Sequence, residues 1–111
     1  MKRIVLLSIL SLFTVACGTT RTSRVVTGKE SAPYSGEVKI LMDGTPVPEG
    51  MQEVALVQAI GHGFHADLEH VIQGLRAEAA TLGCDAVVRV KVDQGSTQAS
   101  ANGVCMRTAS R

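Results

Sequence analysis

Apolar residues recur along this chain in three patterns, and each predicts a different element. A two-residue alternation places every second side chain on one face of a strand. Residues 37–42 show it, with Val38, Ile40 and Met42 set against Glu37 and Lys39. Residues 86–93 show it more cleanly, with Val88, Val90 and Val92 inward and Arg89, Lys91 and Asp93 outward. Residues 53–60 form a run rich in Val, Ile and Leu that stops at Gly61 and Gly63, and residues 103–108 form a last short run around Val104 and Met106. From Ala66 the period lengthens. Leu68, Val71, Ile72, Leu75, Ala79 and Leu82 fall at helical spacing, with Asp67, Glu69, Gln73, Arg76 and Glu78 facing away. Gly83 then supplies a helix stop. Residues 43–50, rich in Pro and Gly, and the small polar residues 94–102 read as loops.

The order strand, strand, helix, strand, strand predicts an α+β domain. It is expected to hold a small sheet of about four strands, in β-β-α-β-β order, packed on one amphipathic helix. The last two strands should form a hairpin turning near Gln98. The second and third, joined through the helix, should be parallel neighbours. The sheet face away from the helix is left to the preceding segment, to a partner subunit or to water.

The third pattern is unbroken. Two cations, Lys2 and Arg3, precede residues 4–16, which carry no charge at all. Thirteen residues are too few for a membrane span, which takes about 20, so the layout predicts a cleaved secretory signal. Its end, Phe13-Thr14-Val15-Ala16-Cys17-Gly18, resembles a lipobox, with Thr14 where leucine is most common. The resemblance implies a diacylglyceryl group on the Cys17 thiol, cleavage before Cys17 and a third acyl chain on the new amine. One acyl chain holds a protein to a bilayer only marginally, whereas two or more hold it stably. Gly18, in place of an aspartate, implies the outer membrane of a two-membrane cell, with the domain facing the periplasm. Residues 18–24 are small, polar and unpatterned, as a flexible tether would be. The expected division is therefore a signal peptide over 1–16, lipidated Cys17 and tether over 17–36, and a small αβ domain over 37–111.

Composition narrows the function. Lys2 and Arg3 belong to the signal, so nine of the chain's 11 cationic residues face ten carboxylates in the remainder. Near-neutral charge and two aromatics, Tyr34 and Phe64, give neither the basic stripe nor the stacking platform of a nucleic-acid binder. The domain has no tryptophan, so its core must come from Val, Ile, Leu, Ala and Met. A chain this short gains only marginal stability from one core. Cys84 and Cys105 remain beyond Cys17, and an oxidising compartment invites a bridge between them. A turn near Gln98 sets Cys105 opposite Lys91, however, seven residues from Cys84. Seven strand residues span roughly 23 Å, against roughly 4.4 to 6.8 Å between bridged α-carbons. On that register the two are expected as separate thiols, and a bridge needs another register or a bent chain.

Two segments could carry chemistry. Residues 61–66, Gly61-His62-Gly63-Phe64-His65-Ala66, fit the G-x-G-x-x-A shape of a dinucleotide turn. Such a fold needs several strand-helix units where one is present, so a tight Gly-rich turn is the better reading and no cofactor is expected. His62, His65 and His70 lie within nine residues, and neutral imidazole ligates zinc, nickel or copper. Their spacing matches no standard zinc pattern. Nothing pairs a nucleophile with a base, so the chain is expected not to be an enzyme.

Residues 75–90 run as an Ala-rich helix into Leu82-Gly83-Cys84-Asp85-Ala86-Val87-Val88 and a strand. This stretch is similar to two groups of small bacterial proteins. One is the RcsF-like group of outer-membrane stress-sensing lipoproteins; the other is the YbjQ type, oligomeric domains labelled heavy-metal-binding. The closing residues 101–106, with Cys105 in the last strand, also resemble the end of RcsF-like domains. Those domains carry four cysteines in two disulfides, where this one has two, and no site residue is carried over. The expectation is a lipid-anchored envelope protein whose domain binds another envelope protein, in sensing or support, or a second copy of itself. The alternative is a metal-binding module built on His62 and His65, with His70 nearby.

Overall fold

The computed structural model describes residues 18–109, so the expected signal peptide and Cys17 lie outside the described residues. Five strands and one helix follow in the order β1 (Thr19–Val26), β2 (Lys39–Met42), β3 (Met51–His62), a 3-10 turn (Gly63–His65), α1 (Leu68–Thr81), β4 (Ala86–Gln94) and β5 (Gln98–Thr108). They form an α+β domain with a single sheet ordered β1-β3-β5-β4-β2. Only the pairing of β2 with β4 is parallel.

Helix α1 forms where the period of 3.6 was read. Asp67 caps its start by accepting the His70 backbone N–H. At the other end Leu82 is the C-cap, and Gly83 takes φ +84°, the left-handed turn that only glycine adopts without strain. Val71, Leu75 and Ala79 form the buried stripe of α1. They meet Ala55, Val57 and Ala59 of β3, Ala101 and Cys105 of β5, and Val87 and Val90 of β4 in one apolar cluster. The two central strands are rich in alanine, so the helix backbone can settle close to the sheet.

Three expectations are corrected. Residues 19–26, expected to be tether, are the edge strand β1, paired antiparallel with β3 from Thr19↔His62 to Val26↔Ala55. β-branched Thr and Val suit an extended backbone, and polar side chains belong on an edge with water beside it. The alternation was invisible because both faces of β1 are polar. The inward-facing Thr20, Thr22 and Arg24 bond to His65 and Glu78 rather than entering the core. The segment after β1 is also tied down. Thr27 and Gly28 donate to Val54 O, while Ser31 and Tyr34 donate to the helix-end carbonyls of Leu82 and Ala80. Carbonyls at a helix end lack the usual partner one turn on; Ala80 O also accepts from the Gly83 N–H, and the strap from β1 to β2 adds a second donor there and supplies one for Leu82 O.

The second correction concerns the crossover. β3 and β4 run parallel, as expected, but β5 lies between them and pairs antiparallel with both. The helix connection therefore spans one intervening strand. β5 also begins at Gln98, inside the stretch read as loop. Ala99, Ala101 and Gly103 are small yet buried, and they carry little hydrophobic signal.

The third follows from the hairpin. The turn lies at residues 95–97, and a bulge shifts the register between Val88 and Lys91, so Cys105 stands opposite Val87 rather than Lys91. The chain bends at Gly83–Cys84, where the Cys84 N–H still donates to Ala79 O. Cys84 and Cys105 are consequently a disulfide, with α-carbons 5.8 Å apart and both side chains buried. Asp85 fastens the same corner by accepting the backbone N–H and hydroxyl of Thr108.

The bridge closes a loop of sequence separation 21, and a loop of that length is worth about 3 kcal/mol in the chain-entropy account. Reduction, or the double change Cys84→Ala/Cys105→Ala, is expected to lower Tm on the order of 10 °C or more. Thermal melts with and without reductant check this, and an unchanged Tm would show that the core holds without the bridge.

Candidate functional site

Helix α1 covers one face of the sheet, and the alternation of strand side chains delivers a second set of residues to the other. β3 presents Leu56 and Gln58 there, β5 presents Asn102 and Val104, and β1 presents Ser23 and Val25. Leu56 is 46% exposed and Val25 63%. These residues floor an open groove with a cavity volume of about 520 Å³, rimmed by Arg24, Arg89, Lys91 and Asp43.

The rim is set by a backbone device. Arg89 has φ +53°, the one non-glycine residue with positive φ among the described residues. It sits in the bulge between Val88 and Lys91. A bulge inserts an extra residue and re-aims side chains, and a left-handed non-glycine residue holds roughly 1 to 3 kcal/mol of strain. The outcome is that Arg89 and Lys91 both line the groove. Among the described residues the Arg89 side chain makes no hydrogen bond or ion pair. Lys91 Nζ lies 3.9 Å from Asp43 Oδ2, and Arg24 Nε lies 3.5 Å from Glu78 Oε1. The Lys91–Asp43 pair is exposed on both sides and held weakly, so Lys91 can exchange partners. Arg89 and Lys91 thus stand against a single rim carboxylate, Asp43, around an apolar floor with two amides, while Arg24 is turned to Glu78 on the helix side. Chemically, this surface can desolvate an apolar side chain, pair with amides and attract an anionic fringe.

The sequence-predicted residues lie elsewhere. Gly61 is inside β3, opposite Thr20 and Ala99, and only Gly63 opens the turn, so residues 61–66 do not form a phosphate-cradling loop. His62 is exposed at the end of β3. His65 and His70 come together instead, their rings stacked at 4.1 Å and 13°. Each is already engaged at Nδ1, His65 with Thr20 Oγ1 and His70 with Asp67 Oδ1, both at 2.7 Å. Among the described residues no three His, Cys, Asp or Glu side chains converge as a metal site. Cys84 and Cys105 are spent on each other within the core. Arg89 and Lys91 were legible as outward residues, whereas Leu56 and Val25 were not, because an apolar run cannot show which of its faces lacks cover.

No known protein family, curated protein or solved structure matches this chain. No helix among the described residues is long and apolar enough to cross a membrane.

Asp67, the cap of α1, also bonds the His70 ring of the stacked pair. The His70 backbone N–H, and after it the His70 side chain, hold its carboxyl below the usual range. A carboxyl lowered on folding adds stability that is present above its unfolded pKa, about 3.9, and is lost as pH falls through the lower folded value. Asp67→Asn keeps an acceptor for the cap, so its Tm is expected to lose this part of the acid slope. Asp67→Ala is expected to lower Tm at neutral pH as well. Melts of the three proteins across that acid range check both statements, and parallel curves for wild type and Asp67→Asn would contradict the first.

Proposed function

We propose that this chain is a lipid-anchored envelope lipoprotein, outer-membrane-bound and facing the periplasm, whose non-catalytic domain binds another envelope protein through the open face of its sheet. The observation that carries this reading is the groove. It leaves Leu56 and Val25 in water beside an unpartnered Arg89 held in a strained backbone. Strain of this kind persists where surrounding structure enforces it, and it clusters at binding sites. A partner surface with an apolar anchor and acidic neighbours would fit, since buried apolar contact supplies affinity and the charges supply register. The lipobox resemblance at Cys17 supports the anchor. The bridged cysteine in the last strand supports the likeness to RcsF-like sensing lipoproteins.

A photo-reactive residue placed at Leu56 or Asn102 in cells is expected to give a discrete cross-linked product, while one at Glu69 on α1 gives none. A product at twice the protein's own mass would identify the partner as a second copy. No product above background at the groove positions would remove the reading. Arg89→Gly adds a finer test, because glycine accepts φ +53° freely. It is expected to leave Tm no lower while weakening cross-linking severalfold.

The stacked His65–His70 pair beside Asp67 favours one other reading, a metal-binding module that also includes His62. Titration of zinc or copper into the purified protein tests it calorimetrically, and heat without saturation would eliminate it.

A further inference from the structure

We infer that the 3-10 turn at Gly63–His65 is the membrane-contacting end of the domain, with the Phe64 ring seated in the bilayer interface beside the lipid on Cys17. This rests on the lipoprotein reading above. It starts from the strand that replaced the tether. A flexible linker of about 20 residues would let the domain range roughly 25 Å from its anchor. Strand β1 instead begins at Thr19, leaving Gly18 alone between the fold and Cys17.

Gly18 is not slack either. A Cβ at this position would lie 2.6 Å from the His65 backbone nitrogen, 2.7 Å from that of Phe64 and 2.8 Å from the His62 carbonyl oxygen. Only glycine fits so close to backbone, and the chain therefore enters the domain clamped against the turn. Consecutive α-carbons are about 3.8 Å apart, so a lipidated Cys17 is bound to reach the bilayer from this point. The turn presents Phe64, whose 75% exposure is the largest among the exposed large apolar residues, and Leu68, 48% exposed, follows at the start of α1. A lone surface apolar residue ordinarily needs no explanation. These two need one because the fold sets them at the place where the acyl chains must leave.

The partner is thus a lipid surface. An aromatic ring and a leucine bury in the boundary between headgroups and acyl chains. Arg21, exposed two residues into β1, lies within reach of lipid phosphates. Asp67 and Glu69 on the adjoining helix start keep the contact shallow, since carboxylates resist entry. The end of the sheet carrying Thr19, His62 and Gln98 faces the bilayer, and the strands rise away from it.

The chain contains no tryptophan, so Phe64→Trp introduces a single reporter at an exposed site where folding is not at stake. The control is Gln52→Trp, ten residues back along β3 and about 33 Å from His62. Each full-length variant is extracted from membranes, its intact mass measured, and then reconstituted into vesicles of phosphatidylethanolamine and phosphatidylglycerol with brominated acyl chains. The expected result is an acylated protein in which bromine quenches Phe64→Trp at least twofold and Gln52→Trp hardly at all. An acylated protein whose Phe64→Trp is quenched no more than Gln52→Trp would overturn the inference and leave the anchor standing. A mass without acyl chains would overturn the lipoprotein reading, and this inference with it.

Discussion

Everything in this domain hangs on the contact between one face of α1 and the two central strands, β3 and β5. A single helix must cover a five-stranded sheet, and with no tryptophan the covering is thin: Val71, Leu75 and Ala79 against rows of alanine and valine. Small side chains allow a close approach but bury little area each, and burial is what offsets chain entropy. The Cys84–Cys105 bridge ties the end of α1 to β5 where that contact is most needed. The strap from β1 to β2 closes over the same helix end through the carbonyls of Ala80 and Leu82. Because the helix occupies one face, the other is left open, and the groove is a direct consequence of having one helix and not two.

The sequence made the middle of this architecture plain. Helix α1 and strand β4 have strong one-sided patterns, and both elements were legible, but Leu68, read as inward, is 48% exposed, and across the bulge it is Val87, not Val88, that joins Val90 in the helix-side cluster. What escaped was polar or small. β1 is read as tether because Thr20, Thr22 and Arg24 make their inward contacts by hydrogen bonds, which leave no hydrophobic trace. The first half of β5 is read as loop because alanine and glycine fill its buried positions. The hairpin turn is then read later than it falls, and that displacement, together with the unseen bulge and the bend at Gly83–Cys84, separates two cysteines that are in fact bonded. A bulge of one residue cannot be seen in an alternating pattern, yet here it decides both the bridge and the direction of Arg89.

The candidate site was legible to a lesser degree. Histidines attract attention by their chemistry, and two of the three do meet, but with each other and with the neighbouring cap of α1. The groove residues are ordinary by type. Their significance comes from topology: β1 and β5 flank β3 and line up Val25, Leu56 and Val104 from three distant parts of the chain. That adjacency exists only once the strand order is known.

Strand β1 also determines how the domain would carry a mechanical load. Its ladder with β3 runs antiparallel through eight residue pairs, with hydrogen bonds perpendicular to the strand. A pull on Gly18 along the strand axis therefore strains all of those bonds at once, rather than opening them one after another. The side-chain links from Thr22 and Arg24 to Glu78 pass part of that force directly into α1. A tug between the chain's beginning and anything gripping the open face meets the sheet in shear, its most resistant direction.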